Sequence, residues 1–327
     1  MASLLSARGR VLAIVAVAAC VAVGAVVGVT LLQSRGQGTT APGSVTKPRA
    51  GHPPLFLDFG VRGDREARDL THAATLLNAG KIRPAAAIFE RYRSVQAEIG
   101  LAFARWPDGG LETLKRLVST HPESAAAQFH LGMAYYWSGR VADAARTWQR
   151  VAARYPDSPE SVEAENVLYP RLKTGLPLIV TGVAEPSAPS LAAQALLLER
   201  AARRPDATAK LRYGLLLWQL WRRVSAERQF EAAARLAPED PVIQTAAAVG
   251  AFTKRAPVRA FGRLGPLTAR FPHASVVPFH LALLLVWTGQ PAKALREFRI
   301  AVAEEPRSVY AREARTIVAA LEKHGTK

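Results

Sequence analysis

Prolines fall on a fixed beat along this chain. Pro122 and Pro156 stand 34 residues apart, Pro238, Pro272 and Pro306 follow one another at the same interval, and Pro205 precedes Pro238 by 33. A single irregular core gives no reason for such spacing, whereas an array of equal helical units does. The text between the prolines repeats as well. Residues 129–156, "FHLGMAYYWSGRVADAARTWQRVAARYP", align without a gap to residues 279–306, "FHLALLLVWTGQPAKALREFRIAVAEEP". The offset of 150 (279 − 129) spans several beats, which suggests a duplicated block or one geometry selecting the same residues twice.

Within the units, particular residues fall at fixed positions. Counting each closing proline as position 32, copies begin at Arg91, Ala125, Ala207, Pro241 and Ser275. The fullest copy carries Leu131, Gly132, Tyr135, Gly139, Ala144, Trp148 and Pro156; the last carries Leu281, Ala282, Leu285, Gly289, Ala294, Phe298, Ala301 and Pro306. The copy at Ala207 supplies Tyr213, Gly214, Leu217, Ala226, Phe230, Ala233 and Pro238. Apolar residues four apart share one helix face. Small residues let two helices approach, glycine past a helix end takes a left-handed backbone, and proline stops the second helix. Residues 66–92 form a degenerate copy, with Leu76, Gly80, Ala85 and Phe89 but no closing proline, so one helix near its junction with the next copy must be short.

These positions resemble the tetratricopeptide repeat family over most of residues 64–323. The resemblance implies an all-α solenoid of antiparallel helix pairs, in two blocks at 61–168 and 191–327. The stretch "SVYAREARTIVAALEKHG" reads as a capping helix that closes the second. Residues 169–190, "YPRLKTGLPLIVTGVAEPSAPS", lose the helical period and read as an irregular connector.

The amino-terminal region is of another kind. From Val11 to Leu32, 22 residues carry no charge. As a helix they reach roughly 33 Å, the thickness of a bilayer core. Arg8 and Arg10 in the short basic tail (1–10) precede this run, as in an uncleaved signal-anchor. Two other readings stay open: a cleaved signal, and a lipoprotein modified at Cys20 after "VAAC", although the sequence remains apolar for twelve residues beyond that cysteine. Arg35, Lys47 and Arg49 nearly balance the charges ahead of the run. A very short basic tail favours a cytoplasmic amino terminus, hence a single-pass membrane protein with an extracytoplasmic body. Residues 33–60, rich in Gly, Pro, Ser and Thr at their start, read as a flexible linker.

Composition narrows the function. Cys20 is the only cysteine, so the body has no disulfide, thiol nucleophile or cysteine-ligated zinc. The formal charge of +17 comes mostly from arginine, in an Ala- and Arg-rich, Lys-poor text typical of a high-GC bacterium, and favours anionic partners. No His-Glu zinc spacing, phosphate loop or serine elbow occurs, and no enzymatic activity, cofactor or metal is expected. His130 and His280 hold equivalent positions without a second ligand nearby and read as packed histidines. No basic–aromatic module points to nucleic acid.

The resemblance places the first helix of each pair on a concave face. There Phe129, Met133, Tyr136 and Trp137, then Leu211, Leu215 and Trp218, then Phe279, Leu283 and Trp287 form candidate walls of a groove for a protein or peptide partner. Plain packing against the next repeat or against the 169–190 segment is the competing reading. Capture of an acidic carboxyl terminus is not expected, because Arg212 is the lone basic residue at the positions that family members use for it. Arg146, Arg150 and Arg154 recur every fourth residue on a second helix, either as a solvated face or as a basic stripe for anionic lipid or envelope polymer. The reading that results is a membrane-tethered scaffold or adaptor without chemistry of its own. A chaperone-like assembly role for envelope proteins is what the resemblance implies for it.

Overall fold

The computed structural model describes residues 49–325. The charge-free run at 11–32 and Cys20 lie outside them. Among the described residues there are fifteen helices and no strand, and no helix is long and apolar enough to cross a membrane. The chain divides into two units that meet in sequence between Leu168 and Tyr169.

The first unit holds α1 (Arg65–Asn78), α2 (Ile82–Phe89), α3 (Val95–Ala104), α4 (Gly110–Thr120), α5 (Ala125–Trp137), α6 (Val141–Arg154) and α7 (Pro159–Leu168). Each helix packs on the next, and α1, α3, α5 and α7 also pack in series. The unit is therefore three helix pairs with an inner row of first helices, closed by α7. The short helix expected near the first junction is α2, of eight residues.

The second unit begins with α8 (Leu191–Ala202) and continues with α9 (Ala207–Gln219), α10 (Arg223–Leu236), α11 (Pro241–Gly250), α12 (Val258–Arg270), α13 (Val276–Trp287), α14 (Pro291–Glu304) and α15 (Val309–Gly325). Here α9, α11, α13 and α15 form the inner row. The plan of three pairs and a closing helix recurs, with α8 added ahead of the first pair.

Sequence chemistry explains the boundaries. Asp64, Ser94, Ser124, Asp206 and Asp240 each accept a backbone N–H two or three residues on, at the starts of α1, α3, α5, α9 and α11. Pro122, Pro156, Pro238, Pro272 and Pro306 each stand two residues beyond a helix: α4 ends at Thr120, α6 at Arg154, α10 at Leu236, α12 at Arg270 and α14 at Glu304. The residue before each has left the helical region, with φ between −121° and −134° and ψ between 51° and 76°, as the proline ring demands. Between paired helices, Gly80, Gly139 and Gly289 take φ of 75°, 77° and 76°. In the pair α9–α10 that left-handed position is filled by Trp221, at φ 56°.

Close helix approach rests on the small residues. A Cβ on Gly132 would lie 2.4 Å from Trp148 Nε1, and one on Gly214 would lie 2.6 Å from Phe230 Cε1. Trp148 is fully buried and donates its indole N–H to the Phe129 carbonyl at 3.2 Å, which ties α6 to α5.

Two stretches outside the helices are seated against them. Residues 49–60 belong to the stretch expected to be a flexible linker, and residues 173–183 to the one expected to be an irregular connector. Neither is helical, but both are packed: Pro53, Leu55 and Pro177 are buried, and Leu176, Leu178, Ile179, Val180 and Val183 pack against the core of the second unit. The reason is chemical. These stretches lack a period yet are apolar, and they take their hydrogen-bond partners from helix ends and side chains.

Candidate functional site

The ten residues expected to wall a groove are all buried. Phe129, Met133, Tyr136 and Trp137 lie on α5; Leu211, Leu215 and Trp218 on α9; Phe279, Leu283 and Trp287 on α13. Across each inner row runs a strap of the chain's own sequence.

In the first unit the strap starts at Arg49. Its backbone N–H donates to the Trp137 carbonyl at 2.9 Å, one of the acceptors left open at the end of α5. Its guanidinium lies 3.9 Å from the centre of the Tyr136 ring and 5.9 Å from that of Trp137. Gly51 turns the chain at φ 78° and Pro53 is buried. Asn78, at the end of α1, then grips the Leu55 main chain from both sides: Leu55 N–H donates to Asn78 Oδ1 and Asn78 Nδ2 donates to the Leu55 carbonyl, each at 2.8 Å. Phe56 meets Phe129 edge-on at 6.2 Å, and its N–H points to His130 Nε2 at 3.4 Å. The strap thus runs against the direction of α5, from its carboxyl end toward its amino end.

The second unit repeats this. Lys173 N–H donates to the Trp287 carbonyl at 3.2 Å, and its ammonium sits 5.8 Å from the centre of that indole. Gly175 takes φ 77°, Pro177 is buried, and Val180 N–H donates to His280 Nε2 at 3.0 Å. Two further clasps are its own: Trp218 Nε1 donates to the Pro177 carbonyl at 2.8 Å, and the Tyr310 hydroxyl donates to the Thr181 carbonyl at 3.1 Å. Burial pushes the Tyr310 phenol above its usual range, so it stays a donor.

The straps share one register. Arg49 and Lys173 are 124 positions apart (173 − 49), as are Gly51 and Gly175, Pro53 and Pro177, Leu55 and Ile179, and Phe56 and Val180. The receiving side chains, Trp137 and Trp287 or His130 and His280, are 150 apart. The helical beat does not pair "RAGHPPLF" with "KTGLPLIV", because the helix α8, inserted after the second strap, shifts the offset. A search for short matches at any offset would find the pair.

The two histidines are structural receptors. Each is at most 1% exposed. His130 Nδ1 donates to the Ala126 carbonyl at 2.7 Å and His280 Nδ1 to the Val276 carbonyl at 2.8 Å, which leaves Nε2 as a lone-pair acceptor for the strap. Burial holds both imidazoles down at about 4, so they are neutral at physiological pH. Among the described residues no cluster of His, Cys, Asp and Glu could hold a metal ion.

Arg146, Arg150 and Arg154 share one face of α6, as the four-residue spacing requires, and that face is exposed. Arg146 pairs with Asp143 at 2.6 Å, Arg150 reaches Thr147 Oγ1 at 3.3 Å, and Arg154 lies 5.5 Å from the Tyr155 ring centre. Arg212, on α9, has an Nε buried without an acceptor among the described residues.

A family model described as the tetratricopeptide repeat matches residues 101–159, from within α3 to the start of α7. No curated protein matches the chain in sequence. Solved structures that align with it include yeast Tom70, at 13% identity and TM-score 0.36 over 82% of this chain and 51% of that one. The chain thus spans about half the length of Tom70. A complex of the TPR2AB domain of yeast Sti1 with pHSP90 aligns at 14% identity and TM-score 0.30, over 80% of this chain and 100% of that one. A thermophilic TPR protein of Thermus thermophilus aligns at 16% identity and TM-score 0.25, over 78% and 98%.

Proposed function

We infer that this chain is a non-enzymatic scaffold of tetratricopeptide type, held at a bacterial cell membrane by residues 11–32, whose inner helix rows hold an irregular peptide segment of a protein partner. The observation that carries this reading is that both rows already hold such a segment, gripped through its main chain and a basic residue. Main-chain contacts supply affinity while pockets for selected side chains supply choice, the usual division in peptide recognition. The membrane tether and the extracytoplasmic side are supported by the charge-free run and its short basic tail. An assembly or chaperone-like role for envelope proteins suits such a placement.

The test is photocrosslinking in intact membranes from positions 52 and 176, where His52 and Leu176 are half-buried on the straps. A partner protein crosslinked from these positions supports the reading, and products confined to this chain overturn it. Reporter fusions at Lys327 decide the topology; a cytoplasmic signal refutes the external body.

The exposed stripe of Arg146, Arg150 and Arg154 supports a second reading, contact with anionic lipid or envelope polymer. Such binding weakens steeply with added salt, whereas a partner held in an apolar row persists.

A further inference from the structure

Every position the two straps share has a defined role, and the positions between them vary. The basic residue caps the inner helix and lies over an aromatic ring, glycine makes the left-handed turn, proline is buried, the aliphatic residue is buried (Leu55) or packs on the core (Ile179), and the last residue presents its N–H to histidine. Between these stand Ala50 or Thr174, His52 or Leu176, and Pro54 or Leu178, none of them buried. Two grooves with matching receptors have therefore selected the same five features from otherwise different segments.

We propose that the inner rows read one peptide pattern, basic–x–Gly–x–Pro–x–aliphatic–apolar, and that the partner presents a segment of this pattern, which takes the place of residues 49–56 in the first unit. The proposal rests on the peptide-scaffold reading above and names the chemistry of its ligand.

The first strap is the replaceable one by its connections. The second lies between α7 and α8, so its removal forces a loop fixed at both ends. The first joins a described helix only through residues 57–64, where Gly60 has φ 57° and Gly63 has open space around it. It can leave without moving a described helix. A resident ligand of this kind multiplies the apparent affinity of an incoming one by the fraction of grooves it leaves open, which makes the strap a threshold as well as a cover.

The probe is a fluorescent peptide of residues 173–183, KTGLPLIVTGV, added to the full-length chain in detergent and followed by anisotropy. Pro53→Asp with Leu55→Asp loosens the first strap. The peptide is expected to bind this variant at least tenfold more tightly than the wild type, and a scrambled peptide not to bind. A variant with wild-type helix content that binds neither peptide overturns the proposal. Equal binding of ordered and scrambled peptides overturns the pattern while leaving the scaffold reading intact; absence of partner crosslinks from positions 52 and 176 overturns that reading instead.

Hydrogen exchange on the wild type covers the case in which the variant fails to fold. Excess peptide is expected to speed exchange of the Leu55 and Phe56 amides, and unchanged protection of both refutes displacement. A wild-type dimer that becomes a monomer in the strap variant assigns the groove to a second copy and overturns the partner claim.

Discussion

Acid should loosen both straps through one pair of side chains. An unfolded histidine protonates near pH 6.5, whereas buried His130 and His280 stay neutral down to about 4. Between those values the unfolded chain binds more protons than the folded one, so stability falls as pH drops from 7 toward 4. It is unaffected by these groups above 7 and loses nothing further from them below 4. Integrating the linkage from pH 7 to 5 gives about 2 kcal/mol for each histidine and about 4 for the pair. That is a large share of the roughly 5–15 kcal/mol that holds a typical domain folded. The surroundings offer no relief: His130 is packed against Phe103 and Phe129 and His280 against Phe279 and Tyr310. Protonation would also set a new N–H against the strap N–H of Phe56 or Val180. The assay is urea denaturation of the full chain at pH 7, 6 and 5, with amide exchange at Phe56 and Val180. The double variant His130→Gln and His280→Gln should lose most of the pH slope. A wild-type slope no steeper than that of the double variant refutes the reasoning.

Three further outcomes follow from the packing. Gly132→Leu should cost about 1–3 kcal/mol by overpacking against Trp148, read as a lower urea midpoint; a neutral result would contradict the tight α5–α6 approach. Asn78→Ala removes both hydrogen bonds to Leu55 and should speed exchange of that amide while lowering stability by about 1–2 kcal/mol. Two glycine-to-alanine changes should have opposite signs. Gly139→Ala, at φ 77°, should destabilise by about 1–2 kcal/mol. Gly262→Ala, inside α12 with open space around it, should stabilise by about 0.5–1 kcal/mol, both read as melting shifts.

Much of the architecture was legible because proline and glycine act locally. A ring that bars the preceding residue from helix leaves the same trace at Pro122 as at Pro306, and no tertiary knowledge is needed to read it. Trp221 was not legible, since a large side chain stands where Gly139 and Gly289 mark the turn. The inner-face residues could be named from their positions, and the 169–190 segment was one candidate to pack on them, but a matching cover from residues 49–56 was not legible. A strap without a period resembles a spacer until its partners are known, and those lie far away: Val180 to His280 is 100 residues. Leu55 and Phe56 were the available hint, apolar residues at the end of a stretch otherwise suited to a linker.

The order of the chain has a consequence for synthesis. Arg49 leaves the ribosome 88 residues (137 − 49) ahead of Trp137, whose carbonyl receives it. At roughly 5–20 residues per second the early segment waits about 4–18 s for its seat. During that interval Asn78, only 23 residues behind Leu55, can already clasp its main chain, while the ring of Phe56 stays bare until Phe129 and His130 follow.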